Sequence, residues 1–579
     1  MNIIDKIKIN WLILFIALVI AISVGFPEVL FVSEMGNKYQ GVPLMGTDAE
    51  EHYLAYMREA YDGRYVLSNT YSIPKNIPFL YPGGGEVVTG FASRISGLGV
   101  IRFNIAMKFI SPFLLFLLLY KLFLLVDGRK SVALLSASFI ILGSNLAARP
   151  NEILNFFAPG SGYHPGFNNY FRPVNPEISS MLFFGYLVLF YKFIKNPKIL
   201  SAVFLGVILG ASFYFYLFTW TFLLVLTGLF LIFSIIIKKY EPAKKILLAL
   251  AVALSLSIPY WVEIKRAIAF PAYQDAALRF GMESGRNFFF SGSLALVSAI
   301  MIFLFINYFR KKNKEASIFG ALFALSALIV YNQQIITGKS IQSPHYHFMS
   351  TVTMLIIFAV ILGWNFLQKI SIFKSVFLRA IVVFFVLAML FVNNFNWQMV
   401  SYEHTKETAI KRQDYKPVIN WLKQNAAEDD IIFSSAPLST LIPVFTPLNI
   451  YPSVFAQYYL LPKNVFRQQT FLDLRFAGVT SEDARERFLG DIRNKLSYGI
   501  YGIKYRKNMP DFEAEKLAEE YSAFYGKSLK EILDKDYYKP DYLVFDQKFN
   551  ELALPKKEIE KIMEETIIID GRFIVYKMK

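Results

Sequence analysis

The chain has 579 residues, of which 55% are hydrophobic and 17% aromatic, and its mean hydropathy is +0.40. These values exceed what a soluble core requires, so they exclude an ordinary soluble protein and predict an integral membrane protein. The formal net charge of +16 is typical of basic cytoplasmic loops that orient membrane helices, and we expect no nucleic-acid partner. The absence of cysteine excludes disulfides and thiolate metal sites.

Hydrophobic stretches of membrane-spanning length recur along the first 394 residues. A helix needs about 20 apolar residues to cross the hydrocarbon. Residues 11–32 are too long for a signal-peptide core and lack a small-residue cleavage site, so we predict a retained first helix. The run 199–237 is about twice one span and must fold back near residues 214–217. The predicted spans, about eleven in all, are 11–32, 109–126, 131–147, 178–194, two within 199–237, 246–264, 289–309, 318–335, 349–367 and 376–392.

Lysine and arginine cluster in the short loops on one side of the predicted bundle. Because cytoplasmic loops are enriched in these residues, the pattern places the amino terminus in the cytoplasm. The longer loops, together with everything after residue 394, then face outward. The sequence thus predicts a multi-pass protein of the plasma membrane, mainly α, with a polytopic helical bundle and a C-terminal extracytoplasmic α/β domain. The longer loops are 33–100, 148–177, 265–288 and 336–347.

The tail, residues 395–579, is predicted to be a separate soluble domain, and residues 1–394 the transmembrane catalytic domain. Apolar residues in the tail come in short bursts between charges, which is typical of α/β structure. Asp570-Gly571 predicts a hairpin turn. No nucleotide-binding loop or nucleophile elbow is present, so a lid or a platform for substrate or partner is the simplest interpretation. Predicted elements are helices at 415–425, 481–496 and 514–533 and strands at 430–433 and within 566–576.

The first long loop carries the strongest polar cluster. Thr47 and Glu50 fit a capping box, which predicts a helix from here to about residue 62. Residues three and four apart share a helix face, so Asp48, Glu51 and His52 are expected near one another. Asp48 has two interpretations. The helix dipole alone favours an acid in the first helical turn, which would be a purely structural role. The position of Asp48 at the mouth of the bundle favours a catalytic role, in which its carboxylate takes a proton from an incoming hydroxyl or amide. Residues 81–85, Tyr-Pro-Gly-Gly-Gly, are predicted to be a pliable loop.

The second long loop adds Glu152, His164 and Arg172 among several prolines. The planar guanidinium of Arg172 is suited to gripping a phosphate, although an arginine before a span can also anchor a helix to ordinary lipid. Asp48, Glu152 and His164 would also allow a divalent metal ion, an alternative that widely separated residues leave open.

The remaining long loops bring Arg279, Arg286 and His345 to the predicted outer side. Cation-bearing loops thus converge from at least three points of the chain on the side that holds Asp48. A basic wall that faces a carboxylate suits a phosphorylated leaving group, because the cations stabilise the charge that develops as it departs.

At these residues the chain resembles the membrane glycosyltransferases of the GT-C fold, whose relatives include protein O-mannosyltransferases, aminoarabinose transferases and the catalytic subunit of oligosaccharyltransferase. The resemblance rests on Asp48 within Gly46-Thr47-Asp48 early in a large outer loop, on about eleven spans and on the outer C-terminal domain. It implies transfer of a sugar from a polyprenyl-phosphate carrier to a glycan, lipid or protein acceptor at the outer membrane surface.

The one residue that carries over from the resemblance is Asp48, as the catalytic base. In the mechanism that the family suggests, the cations of the converging loops, Arg172, Arg279, Arg286 and His345, would hold the donor phosphate. Glu51, His52, Glu152 and His164 are candidate acceptor or metal neighbours from their positions in the loops. A tandem Trp-Trp-Asp signature is absent, which counts against glycosylation of asparagine as the reaction.

A transporter or lipid flippase without covalent chemistry is the competing hypothesis. It predicts ionisable residues well inside the spans. The candidate in the sequence is Lys121, near the expected cytoplasmic end of its helix, where its side chain can reach the interface. A noncatalytic scaffold for the C-terminal domain is a third interpretation.

Overall fold

The computed structural model describes residues 11–579 except 47–48, 67–68, 150–165, 289–298, 300–302, 304–305, 308, 310–312, 343, 506–508, 537 and 551–553. Long apolar helices dominate the first two thirds of the chain. The helices in this part are α1 (Trp11–Met35), α2 (Glu50–Tyr61), α3 (Gly84–Ser96), α4 (Gly99–Asp127), α5 (Lys130–Leu142), α6 (Ser144–Ala148), α7 (Ser179–Lys195), α8 (Ile199–Ser212), α9 (Leu217–Ile236), α10 (Tyr240–Ile268), α11 (Tyr273–Arg279), α12 (Lys314–Tyr331), α13 (Val352–Lys369) and α14 (Val376–Gln413).

The predicted polytopic bundle is confirmed. Within the described residues, 8 helices are long and apolar enough to cross a membrane, and the shorter apolar helices α5 and α8 accompany them. The chain folds back between α8 and α9, where the sequence predicted it. The predicted span at 289–309 lies largely outside the described residues.

The predicted C-terminal α/β domain is also confirmed. Its five-stranded sheet has the order β4-β3-β5-β7-β6, with parallel pairing among the first three strands and antiparallel pairing among the last three. The predicted hairpin joins β6 to β7 through Asp570 and Gly571, both at positive φ. The strands are β3 (Ile431–Ser434), β4 (Asn449–Ile450), β5 (Tyr542–Asp546), β6 (Met563–Ile569) and β7 (Phe573–Met578); β1 (Met282–Ser284) and β2 (Lys339–Ile341) form a separate two-stranded ribbon.

The helices of this domain differ in detail from the prediction. Each of the two predicted long helices is two helices, because Gly490 and Gly526 interrupt them. The predicted domain boundary at 394 falls inside α14, since loss of apolar character at a membrane surface does not by itself end a helix. The helices are α15 (Lys416–Asn425), α16 (Leu438–Phe445), α17 (Lys463–Phe476), α18 (Ser481–Leu489), α19 (Arg493–Tyr501), α20 (Asp511–Tyr525), α21 (Leu529–Asp534) and α22 (Lys556–Ile562).

The first long loop packs into the C-terminal domain. Helix α2 lies against α16, and one continuous apolar core holds buried residues of both segments, among them Leu54 and Leu441. The hydroxyl of buried Tyr71 donates to the carbonyl oxygen of Thr440 at 3.1 Å. The loop that carries the polar cluster is therefore held between the membrane helices and the C-terminal domain.

The sequence predicted a loop over the whole glycine-rich segment after Tyr81, but the structure has a helix at its end. Gly84 and Gly85 open helix α3, and the Gly84 amide donates to the carbonyl oxygen of Tyr214 at 2.8 Å. A Cβ atom at Gly84 would lie 2.4 Å from that oxygen, so only glycine fits. The glycines serve close packing of α3 against the turn between α8 and α9.

Candidate functional site

A cavity of about 140 Å³ lies where α2, the turn before α9, the β2 segment and the C-terminal domain meet. Aromatic and imidazole side chains make up most of its wall. Such a cavity, mostly apolar with a few convergent polar groups, is the usual form of a small-molecule site. Its lining residues are Ala49, His52, Tyr53, Tyr56, Tyr81, Tyr216, Leu217, Phe218, Phe280, Ile341, Gln342, His345 and Tyr458.

His52 faces this cavity from helix α2. Its ring lies 4.8 Å from the ring of Tyr56 and 5.4 Å from that of Tyr458, and its Nδ1 atom has no hydrogen-bond partner among the described residues. Burial, with the charge of Arg172, lowers the pKa of His52 to about 3. At neutral pH the ring is uncharged, so it offers a substrate one donor and one acceptor nitrogen.

His345 forms the opposite side of the cavity. Its ring stacks on Phe218 with centroids 4.7 Å apart, and its Nδ1 atom lies 2.5 Å from the hydroxyl of Tyr216. Burial, again with the charge of Arg172, lowers the pKa of His345 to about 4. His345 is therefore neutral at physiological pH and can hold a phosphate oxygen by hydrogen-bond donation only.

Arg172 is the positive centre beside the cavity. Its guanidinium lies over the ring of Tyr53, 4.6 Å from the centroid, and its Nε donates to the carbonyl oxygen of Asn175. The positive charge adds to the larger effect of burial, and both lower the pKa values of the two histidines. An anion that entered the cavity would meet this field at close range.

The chain on each side of residues 47–48 is fixed by buried polar contacts. The Leu44 amide donates to Glu28 Oε1 at 3.1 Å, and Arg412 Nη1 donates to the carbonyl oxygen of Met45 at 3.0 Å. On the other side, Lys108 Nζ lies 2.9 Å from Glu50 Oε1. Asp48 lies outside the described residues, and its neighbour Ala49 lines the cavity.

Helix α2 begins later than the predicted capping box implies. Its N-cap residue is Ala49, at φ 58°, and Thr47 lies outside the described residues. Successive helical side chains point about 100° apart. Glu51 accordingly turns away from His52 and pairs with Arg412, while His52 faces the cavity.

Sequence reasoning missed a group of buried charges inside the bundle. Lys108 Nζ in α4 lies 2.8 Å from Glu28 Oε2 in α1 and also pairs with Glu50; all three side chains are almost fully buried. The sequence suggested Lys121 as the chief ionisable residue of the spans. The structure shows instead that Lys108 and Glu28 are buried charged residues there. The signal that could have found this group was Glu28, an acid inside the apolar stretch 11–32.

Glu86, in the first turn of α3, is a second residue that sequence reasoning missed. It is fully buried, and neither carboxyl oxygen has a hydrogen-bond partner among the described residues. Burial raises the pKa of Glu86 to about 8, although Arg172 and the nearby hydroxyl of Tyr81 lower it in part. At pH 7 the carboxyl group of Glu86 is therefore mostly protonated and uncharged, close to the lining residue Tyr81.

Comparison with known proteins adds two loose structural likenesses. A structure of the Archaeoglobus fulgidus oligosaccharyltransferase, tethered to an acceptor peptide with an NVT sequon, aligns at 12% identity and a TM-score of 0.46 over 99% of this chain and 75% of that one. ArnT from Cupriavidus metallidurans in the apo state aligns at 11% identity and a TM-score of 0.41 over 95% and 97% of the two chains. No protein-family model and no curated protein matches the sequence. Scores this low assign neither a fold family nor an activity to this chain, so its function has to be inferred from the site.

None of the three arginines expected to hold the donor phosphate is among the residues that line the cavity. Arg279 is buried against the C-terminal domain, where its guanidinium donates to the carbonyl oxygen of Leu461 and lies over Phe466, and burial lowers its pKa to about 10. Arg286 is exposed and donates to the carbonyl oxygens of Ile335 and Ile336. Of the four residues, His345 lines the cavity, and Arg172 lies beside it over the ring of the lining residue Tyr53.

The remaining predicted neighbours are Glu152 and His164, which lie outside the described residues. In the part of the chain that the structure describes, no group of three or more His, Asp or Glu side chains is placed to hold a metal ion. A metal site that uses Asp48, Glu152 and His164 stays a prediction of the sequence.

Glu86 leads to a prediction for stability against pH. Its pKa rises from an ordinary value of 4.5 to about 8 on folding, so the folded protein holds a proton that the unfolded chain releases between these pH values. Native stability should fall as pH rises through this window, by a few kcal/mol at about 1.4 kcal/mol per pKa unit. Glu86→Gln keeps the shape and removes the titration, so its unfolding midpoint should fall less steeply between pH 5 and pH 8. Parallel slopes for the two proteins would contradict this assignment.

Proposed function

We propose that this protein is a membrane glycosyltransferase that transfers a sugar from a polyprenyl-phosphate carrier to an acceptor at the extracytoplasmic face, with Asp48 as the catalytic base. The observation that carries the proposal is the cavity itself: Ala49, the neighbour of Asp48, lines it, and the field of Arg172 reaches both of its histidines. A carboxylate next in sequence to a lining residue, together with a fixed cation near both histidines, fits a reaction in which a proton is removed while negative charge develops on a leaving group.

The proposed reaction has one bond-forming and one bond-breaking event at the anomeric carbon. The acceptor oxygen attacks this carbon and gives its proton to the carboxylate of Asp48. The bond between the anomeric carbon and the carrier phosphate oxygen breaks, and that oxygen keeps the electron pair. Attack opposite the leaving group inverts the anomeric configuration.

Arg172 and His345 share the leaving phosphate in this proposal. Arg172 supplies a permanent charge and a planar fork of donors. The neutral ring of His345, held by its stack on Phe218 and by the hydroxyl of Tyr216, supplies one further hydrogen bond. Arg279 is buried against Phe466 in the C-terminal domain, and Arg286 is exposed beside Ile335, so we assign them no contact with the phosphate.

The membrane contributes to positioning. The lipid tail of the carrier can remain between apolar helices while the sugar phosphate reaches the cavity, which removes much of the entropy of bringing donor and enzyme together. The proposed localisation is the plasma membrane, with the amino terminus in the cytoplasm and the C-terminal domain outside. No nucleotide is required, and the acceptor is a glycan, lipid or protein.

A unique introduced thiol tests the proposal, because the native chain has no cysteine. Ile341→Cys places a thiol on the cavity wall, and Ile568→Cys places one on an exposed face of the C-terminal domain. Both variants are assayed in liposomes with a panel of polyprenyl-phosphate sugars, before and after reaction with a bulky maleimide. We expect the maleimide to abolish transfer by the Ile341→Cys variant alone. Full transfer by the labelled Ile341→Cys protein would refute the cavity as the site.

Arg172 provides a second prediction for the reaction. Arg172→Gln should reduce kcat/KM for the donor by roughly 10²–10³-fold, as loss of one donor to a developing oxyanion does. Arg172→Lys should retain part of the rate because it keeps the charge and loses the fork. The matched control is Arg485→Gln, an exposed residue of the C-terminal domain. Steady-state transfer kinetics measure the effect, and equal rates for Arg172→Gln and the control would remove Arg172 from the site.

The transporter hypothesis is the second candidate, and the buried charges of the bundle favour it. Glu28 and Lys108 lie inside spanning helices, as a transport pathway would require. However, Lys108 is paired with two carboxylates and lies over the ring of Phe171, 4.1 Å from the centroid. These ion pairs join α1, α4 and α2 and so anchor the first long loop, which accounts for the buried charges without a transport pathway. The glycosyltransferase therefore remains the better supported function.

A further inference from the structure

A second cavity, of about 230 Å³, lies within the C-terminal domain. Helices α17 and α19 and the turn Val454–Tyr458 enclose it. Its volume equals roughly eight times the share of one water molecule in the liquid, which gives room for a small ring rather than for an ion alone. Most of the surface of its wall is apolar, and six of its lining side chains are polar: Gln457, Gln469, Thr470, Asp473, Lys495 and Tyr498.

The polar groups of this cavity are suited to a neutral ligand with many hydroxyl groups. Asp473 accepts a hydrogen bond from Gln469 Nε2 at 2.8 Å, which fixes its carboxyl group on the wall. Burial raises the pKa of Asp473 to about 7, with Lys495 as a partial offset. One acid and one base leave no strong net charge, while the amides, carboxyl and hydroxyls supply both donors and acceptors.

Other ligand classes fit less well. A phosphate or nucleotide would need several cations, and Lys495 is the one Lys or Arg side chain among the residues that line the cavity. A purely apolar ligand would displace water from the carboxyl of Asp473 and the amide of Gln457 without replacing its hydrogen bonds, which is costly. The ring of Phe466 offers a flat apolar face beside the polar groups, and a sugar presents the same combination of apolar face and polar edge.

The two cavities are neighbours in the fold. Gln457 lines the second cavity, and the next residue, Tyr458, lines the first. The same relation recurs at a second point: Phe280 lines the first cavity, while its neighbour Arg279 lies 4.2 Å over Phe466, which lines the second. The two cavities therefore lie within the length of a ligand of two or three linked rings.

We propose that the second cavity binds one sugar unit of an oligosaccharide substrate whose reacting sugar or acceptor hydroxyl occupies the first cavity. This inference rests on the proposed function and narrows its substrate class to oligosaccharides. The second cavity would then select chain length, because a single sugar can fill one cavity only.

Gly499 allows the second cavity to be filled without disturbing the fold. A Cβ atom at this position in α19 meets no atom within 4 Å, and leucine favours the helix more than glycine does. Gly499→Leu should therefore fold and occlude the cavity. Gly526→Leu, outside the cavity in the same domain, is the matched control, since its Cβ would meet only ordinary contacts at 3.7 Å.

The test is direct binding of free linear trisaccharides of glucose, mannose and N-acetylglucosamine to the full-length protein in nanodiscs, measured by saturation-transfer NMR. We expect at least one to bind the native chain and the Gly526→Leu control, and Gly499→Leu to weaken this binding by tenfold or more. Asp473→Asn, which keeps the shape, should weaken it about tenfold, as loss of one charged hydrogen bond does.

Two results would overturn the inference: no trisaccharide binds the native chain, or Gly499→Leu and Asp473→Asn both bind as the native chain does. The readout needs no sugar transfer. Intact binding in a protein that transfers no sugar would refute the proposed function and leave the second cavity as a sugar site.

Discussion

Asp48→Asn should abolish most sugar transfer while the protein still folds and binds its donor. General bases contribute about 10²–10⁴-fold to rates, so we expect kcat to fall by that range with little change in the affinity for the donor. The amide keeps the shape of the carboxylate and cannot accept the acceptor's proton. Transfer in nanodiscs gives kcat, and binding of a labelled donor gives the affinity.

Asp62→Asn is the matched control for this experiment. Asp62 follows the other end of α2, where it pairs with Arg58 at 2.7 Å. Its loss should leave transfer near the native rate. If Asp48→Asn and Asp62→Asn transferred sugar equally well, Asp48 would not be the base, and the acceptor proton would have to leave by another group of the cavity.

Lys108→Met should destabilise the protein by about 3–5 kcal/mol, the usual cost of removing one partner from a buried ion pair. Glu28 and Glu50 would then be adjacent buried carboxylates that have lost the lysine shared between them. Because Glu28 also accepts from the Leu44 amide, the segment before Asp48 should loosen as well. Denaturant titration of the purified protein, followed by circular dichroism, measures the loss.

A compensated variant separates charge from packing. Combining Lys108→Met with Glu28→Gln and Glu50→Gln removes all three charges, and neutral replacement of a whole buried group is often close to neutral for stability. We expect the triple variant to recover much of the stability that Lys108→Met loses. A triple variant less stable than Lys108→Met alone would show that the ion pairs are not what the lysine contributes.

The bundle could be predicted from the sequence because membrane insertion depends on local composition. Span length and the fold-back near residue 214 follow from hydropathy, and the turn at Asp570-Gly571 follows from backbone conformation. These features need no knowledge of distant parts of the chain. The interruptions at Gly490 and Gly526 were missed because a single glycine does not always end a helix.

The site could be predicted only in part because its contacts join distant residues. Lys108 is 80 residues from Glu28, and Arg412 is 361 residues from Glu51, so no local pattern shows that they pair. Arg279 and Arg286 looked alike as loop arginines, yet one is buried against the C-terminal domain and the other is exposed. Glu86 gave no signal, since an acid in a first helical turn is common.

The most direct test of the central claim follows the carrier. A polyprenyl-phosphate sugar labelled in both sugar and phosphate is reconstituted with the purified protein and an acceptor extract in liposomes. We expect free polyprenyl phosphate to appear in step with sugar on the acceptor, one for one, and Asp48→Asn to suppress both products together. Movement of the intact labelled donor across the bilayer, without release of free carrier, would contradict this expectation and establish transport instead.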